Sequence, residues 1–170
     1  MNESAGNKLR GSISCTVCAG HKVASGQAEN DRRFPSGTIE MQVPHFREKG
    51  FDLKAYFNGD YVSGTLNLSI KPHTYHIGKP DYFLEAVKWT PLFPPENFFL
   101  GGAEIIYKDV NYRALIYIPD PSTKPDHFQP PDIIEVIAQK IPGISYGEKV
   151  MLLYNPQFIK VIRGEESADF

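Results

Sequence analysis

Gly102-Ala103-Glu104-Ile105-Ile106-Tyr107-Lys108-Asp109-Val110-Asn111-Tyr112-Arg113-Ala114-Leu115-Ile116-Tyr117-Ile118 decides the fold class. Two apolar runs flank the short polar break Lys108-Asp109, the pattern of a β-hairpin. The β-branched and aromatic content of Tyr112–Ile118 favours a buried strand. On the N-terminal side, Thr65-Leu66-Asn67-Leu68-Ser69-Ile70 alternates cleanly after a Ser63-Gly64 turn. Leu66, Leu68 and Ile70 share one face, and Thr65, Asn67 and Ser69 the other. Leu9–Val17 alternates weakly and fits a first strand, and Tyr82–Trp89 fits a strand or a short helix. Thr38-Ile39-Glu40-Met41-Gln42-Val43 has period two and reads as a half-buried strand. Pro44–Phe57 has room for a short helix, with Pro44 suited to its first position and Gly50 to its stop. On the C-terminal side, a proline-heavy loop (Pro119–Pro131) leads into the apolar strand Asp132–Ala138. A Gly147-Glu148-Lys149 turn follows, and Val150–Tyr154 and Phe158–Ile162 give the last strands. Short strands punctuated by Gly and Pro, with no helical periodicity beyond about two turns, indicate a mainly β closed barrel or sandwich with minor helix.

The 170 residues suit a single domain. That domain is expected over 8–163, between a lead at 1–7 and an acidic tail at 164–170, with a long exposed loop at 24–37. Eighteen basic against 20 acidic residues give a net charge of −2, which excludes a broad cationic surface and argues against nucleic acid as partner. No apolar run approaches the roughly 18 residues of a spanning helix, and Met1–Arg10 lacks the apolar core of a secretory signal. The expected address is therefore the cytoplasm, with no membrane partner. The 2 cysteines stand in Cys15-Thr16-Val17-Cys18-Ala19-Gly20-His21. A structural zinc site wants four ligands, usually from two such pairs. A lone pair in a weakly alternating stretch reads first as two unpaired cysteines in or near a strand. A metal or redox module built on Cys15, Cys18 and His21 stays open as the alternative.

Two constellations carry chemistry. Thr65 and Asn67 place a hydroxyl and an amide oxygen on one strand face, a neutral half-site suited to a hard cation such as magnesium. The alternative is a polar face turned to solvent. Glu135 stands alone among Ile133, Ile134, Val136 and Ile137. A carboxylate on an apolar side must find a partner, shift its pKa or face a cavity, which makes it a candidate general base or ligand anchor. An edge strand with Glu135 in water is the other reading. His73 and His76 are three apart and so fall on opposite faces of an extended chain, a poor metal pair. The glycine spacings of Walker and dinucleotide loops are absent.

Taken in order, four motifs resemble the archaeal-type CTP-dependent riboflavin kinases, a family of small cradle-loop β-barrels. These are Gly64-Thr65-Leu66-Asn67-Leu68-Ser69-Ile70, Ala114-Leu115-Ile116-Tyr117-Ile118-Pro119, Asp132-Ile133-Ile134-Glu135-Val136-Ile137-Ala138 and Gly147-Glu148-Lys149-Val150. The resemblance covers about residues 37–154. It implies a closed six- to seven-stranded cradle-loop barrel with one or two short helices. It also implies Mg2+ on Thr65 and Asn67, and Glu135 on the flavin. The stretch containing Lys140 and Gly143 would contact the nucleotide, and Thr123 or His127 the flavin. Where the family has a compact glycine-rich nucleotide loop, this chain has Ser25–Gly37, with Gly26, Arg32 and Arg33 as the residues that could meet phosphates.

The function so implied is transfer of a phosphate from a nucleoside triphosphate, CTP in this family, to the primary hydroxyl of riboflavin or a similar small alcohol. Phosphoryl transfer depends on positioning and charge neutralisation more than on covalent chemistry, so a metal half-site and one carboxylate could suffice. The alternative is a non-catalytic barrel that binds a flavin, a nucleotide or a protein partner.

Overall fold

The structure is a computed structural model that describes residues 8–19, 38–123 and 130–165. The expected lead at 1–7, the whole loop at 24–37 and the end of the acidic tail lie outside the described residues. The longest ladder is the hairpin that the sequence singles out. Strand β5 (Glu96–Tyr107) pairs with β6 (Val110–Pro119) from Phe98↔Pro119 to Tyr107↔Val110. Lys108 and Asp109 at its tip have φ of 49° and 64°. A two-residue turn with both φ positive matches the right-handed twist of the strands it joins. The hairpin begins earlier than its sequence signature, and its first part, from Glu96 to Leu100, also pairs with β4 (Tyr82–Val87).

Closure follows from the remaining strands. From β6 the ladder continues to β7 (Ile133–Ala138), β2 (Leu66–Ser69), β1 (Gly11–Cys18) and β8 (Lys149–Tyr154), and β8 returns to β5. This is a closed six-stranded antiparallel barrel, with β4 paired outside the ring. A separate two-stranded sheet joins β3 (Thr74–Ile77) to β9 (Ile159–Ile162). Phe158–Ile162 is thus a strand as expected, but it leaves the barrel to pair with a strand around His76 that alternation does not reveal.

One expectation is corrected. Thr38–Val43 is not a strand but the start of helix α1 (Thr38–Glu48), which runs through Pro44. Ile39, Gln42, Val43 and Phe46 form its buried face, the i, i+3, i+4, i+7 spacing of a helix. Alternation and helical spacing overlap over six residues, and Pro44 hid the continuation. Proline removes the bond to the carbonyl four residues back, and the helix continues through it with Ile39, Val43 and Phe46 all buried in one core, Phe46 at 4.9 Å from Phe98. Gly50 does mark the stop, with φ of 96°. Helix α2 (Leu53–Tyr56) follows, capped by Asp52, whose Oδ1 accepts from the Ala55 amide at 3.1 Å.

Two cores result. The barrel interior holds Cys15, Val17, Leu68, Ile70, Ile105, Ala114, Ile116, Ile134, Val136 and Leu152. The outer face of β5, β6 and β7 contributes Phe98, Leu100, Leu115, Tyr117 and Ile137 to a second core roofed by α1, α2 and β4. Strand β6 is therefore buried on both faces, which explains its unbroken apolar run.

Candidate functional site

The site is built on the outer face where the second core ends. Strands β2 and β7 pair with Asn67 directly opposite Glu135, between Leu66↔Val136 and Leu68↔Ile134. Directly opposed residues project to the same side of a sheet. Period two turns Val136 and Ile134 into the barrel and leaves Glu135 and Asn67 outside. The Thr65 hydroxyl donates to Glu135 Oε1 at 3.4 Å, at the outer limit of a hydrogen bond. Thr65, Asn67 and Glu135 thus come together from segments seventy residues apart in the chain. Thr65 and Glu135 are half-buried, and Asn67 is 6% exposed.

The surroundings are rich in phenols and hydroxyls. Tyr75 on β3 donates to the Ile133 carbonyl at 3.1 Å. Burial, and then the charge of Glu135, raise its pKa well above the ordinary phenol value. Tyr117 on β6 donates to Gln42 Oε1 of α1 at 2.7 Å. Its phenol too is pushed up, by burial first, then by Glu135 and Glu96. The segment entering β2 offers further donors. The Tyr61 hydroxyl donates to Glu40 Oε1 at 3.2 Å, and the Ser63 hydroxyl donates to the same oxygen. Burial and the Glu40 charge push the Tyr61 phenol up to about 12. Glu40 is the member that sequence reading missed. On a strand it is one polar position among several, whereas on the first turn of α1 it faces the Tyr61–Ser63 segment.

The other expected residues are placed elsewhere or not described. Lys140 is exposed in the turn after β7. Gly143 of the same turn has φ of 79°, and its carbonyl accepts from Tyr107 at 3.4 Å. Thr123 spends its hydroxyl on the loop: Oγ1 accepts from the Asn97 amide at 2.9 Å and donates to the Asp120 carbonyl at 3.2 Å. Gly26, Arg32, Arg33 and His127 lie outside the described residues.

The cysteines are free, as expected. Cys15 points into the barrel, where burial pushes its thiol up to about 12. Cys18 lies half-buried, and its thiol donates to the Asn67 carbonyl at 3.4 Å. Three residues apart on one strand, they face opposite sides. His21 lies outside the described residues. Among the described residues no group of three or more His, Cys, Asp and Glu side chains gathers to hold a metal, and no helix is long and apolar enough to cross a membrane.

Thr65 and Asn67 carry neutral oxygens, the kind a hard divalent cation takes, and the Glu135 carboxylate stands beside them. No protein-family model and no curated protein matches the chain. The chain is a closed antiparallel barrel with a polar cluster on its outer face.

Proposed function

We propose that the protein is a magnesium-dependent phosphotransferase of the riboflavin-kinase kind. In this reading a nucleoside triphosphate, CTP first among the candidates, gives its terminal phosphate to the primary hydroxyl of riboflavin or a similar small alcohol. The single observation that carries it is the pairing of Asn67 with Glu135 across β2 and β7, with the Thr65 hydroxyl on the same carboxylate. Thr65 and Asn67 would hold Mg2+, whose chemistry is to neutralise charge on the transferring phosphate. Glu135 would orient the acceptor hydroxyl and take its proton as the new P–O bond forms. Burial first, and then the charge of Glu135, hold the Tyr75 and Tyr117 phenols protonated beside it. Nucleotide contacts would come from Lys140, Gly143, Gly26, Arg32 and Arg33, and flavin contacts from Thr123 or His127.

The burial of Asn67 favours a second reading. There the cluster is a polar strut between β2 and β7, and the barrel binds a flavin, a nucleotide or a protein partner without catalysis. The discriminating experiment incubates the whole chain with riboflavin and CTP, ATP or GTP, with and without Mg2+, and separates the flavins by chromatography. Magnesium-dependent formation of riboflavin phosphate with one nucleotide supports the kinase. Flavin binding without turnover supports the binding barrel. No binding of any ligand overturns both small-molecule readings.

A further inference from the structure

A cleft of about 440 Å3 opens at the β3–β9 sheet, away from Glu135. Its polar lining is Ser12 and Ser14 of β1, His73, Tyr154, Lys160 and Arg163. Among the described residues no Asp or Glu lines it. The register Cys18↔Asn67 and Thr16↔Ser69 sets its place. Ser12 lies six residues along β1 from Asn67's partner, about 20 Å at ~3.3 Å per residue.

Two close approaches hold the cleft's cationic side. Gly164 donates its amide to His73 Nδ1 at 3.0 Å. A Cβ at Gly164 would stand 1.9 Å from the Pro72 carbonyl oxygen, so only glycine reaches this position. With Nδ1 accepting, the neutral imidazole carries its proton on Nε2 and is a donor there. Gly78 donates to the Phe158 carbonyl at 2.6 Å, and a Cβ on it would meet the Lys160 stem at 2.9 Å. The ammonium of Lys160 is thus carried on a stem laid over Gly78. Arg163 lies close enough to Tyr154 for its charge to lower that phenol's pKa against the larger effect of burial.

We propose that this cleft binds a phosphate-bearing small molecule. A lysine, an arginine, an imidazole donor and two serine hydroxyls line a space in the range of small-ligand sites. A tetrahedral dianion with several acceptor oxygens can satisfy separate cations and hydroxyls together, whereas one planar carboxylate presents two oxygens and a single charge. The site stands apart from the Thr65–Asn67–Glu135 cluster and does not depend on the kinase reading.

The test is an amide-resolved NMR titration of the full chain at constant ionic strength, using inorganic phosphate, glycerol 3-phosphate and acetate. Saturable shifts at Ser12, Ser14, His73 and Gly164 with both phosphate probes, and none with acetate, are expected. Lys160→Ala and Arg163→Ala, both at exposed positions, should each weaken binding about tenfold or more, and Lys160→Arg should stay near wild type. Tighter binding of glycerol 3-phosphate would name a phosphorylated metabolite as the occupant, and equal binding free phosphate. Absence of saturable shifts, equal shifts with acetate, or shifts untouched by the two alanine variants would overturn the proposal.

Discussion

The two faces of β6, β7 and β2 differ in kind. Inside the barrel, Ala114, Ile116, Ile134, Val136 and Leu68 form one continuous apolar surface. Outside, the same strands begin apolar beneath α1 and α2, with Leu115, Tyr117 and Ile137, and then turn polar at Glu135 and Asn67. The change coincides with the phenols of Tyr75 and Tyr117, both within electrostatic reach of Glu135. A closed barrel needs only its interior to be apolar. Its outer face is free to be part core and part site, and a lone acid in an apolar run marks the boundary between them.

The largest test strips each core in turn. Phe98→Ala, in the outer core, should cost about 3–5 kcal/mol, and Ile116→Ala, inside the barrel, about 2–5 kcal/mol. Because β5, β6 and β7 feed both cores, urea unfolding should remain a single transition with an unchanged slope. Two transitions in Phe98→Ala would mean that the helical roof folds as a separate unit. Next in size is Gly101→Ala. Its Cβ would sit 2.3 Å from the Phe158 ring, which is fully buried. Displacing that ring should cost about 1–3 kcal/mol, and a midpoint equal to wild type would show that the barrel interior yields more easily than its packing implies.

Alkaline pH separates the faces by charge. Cys15 is raised from 9.0 to about 12, mainly by burial, so the folded state holds its proton more tightly than the unfolded chain. That contribution is complete below about pH 9 and is lost as pH rises towards 12. The stability difference between wild type and Cys15→Ala should therefore shrink over this window. A constant difference would mean that the thiol ionises equally in both states. The smallest effect probes the outer face. Glu135→Gln removes a charge that raises Tyr75, so the Tyr75 phenol should titrate at lower pH than in wild type, yet still above its ordinary value because burial persists. NMR of ring-labelled tyrosine reads this directly, and an unmoved Tyr75 would remove Glu135 from its surroundings.

Strands were legible where one signal acted alone. Thr65–Ile70 alternates, β6 is unbroken and apolar, and Lys108-Asp109 separates two runs; each appears as a strand or turn. Helix α1 was not legible because Ile39, Met41 and Val43 satisfy period two while Ile39, Val43 and Phe46 satisfy the helix, and the difference lies in the tertiary packing of that second set on the outer core. Strand β3 was hidden because its partner β9 is more than eighty residues away. For the site, alternation put Thr65 and Asn67 on one face and isolated Glu135. Their juxtaposition depends on the β2–β7 register, which no local pattern carries. Glu40 was lost with the helix that bears it.

The measurement closest to the proposed function compares magnesium-dependent CTP binding in the wild-type chain and in Asn67→Ala by calorimetry, with urea unfolding as the control for fold. The expected result is binding to wild type that requires Mg2+ and is abolished in Asn67→Ala while the single unfolding transition persists. Undiminished Mg2+-dependent binding in the folded variant, or no nucleotide binding by wild type, would contradict the assignment of the outer-face cluster.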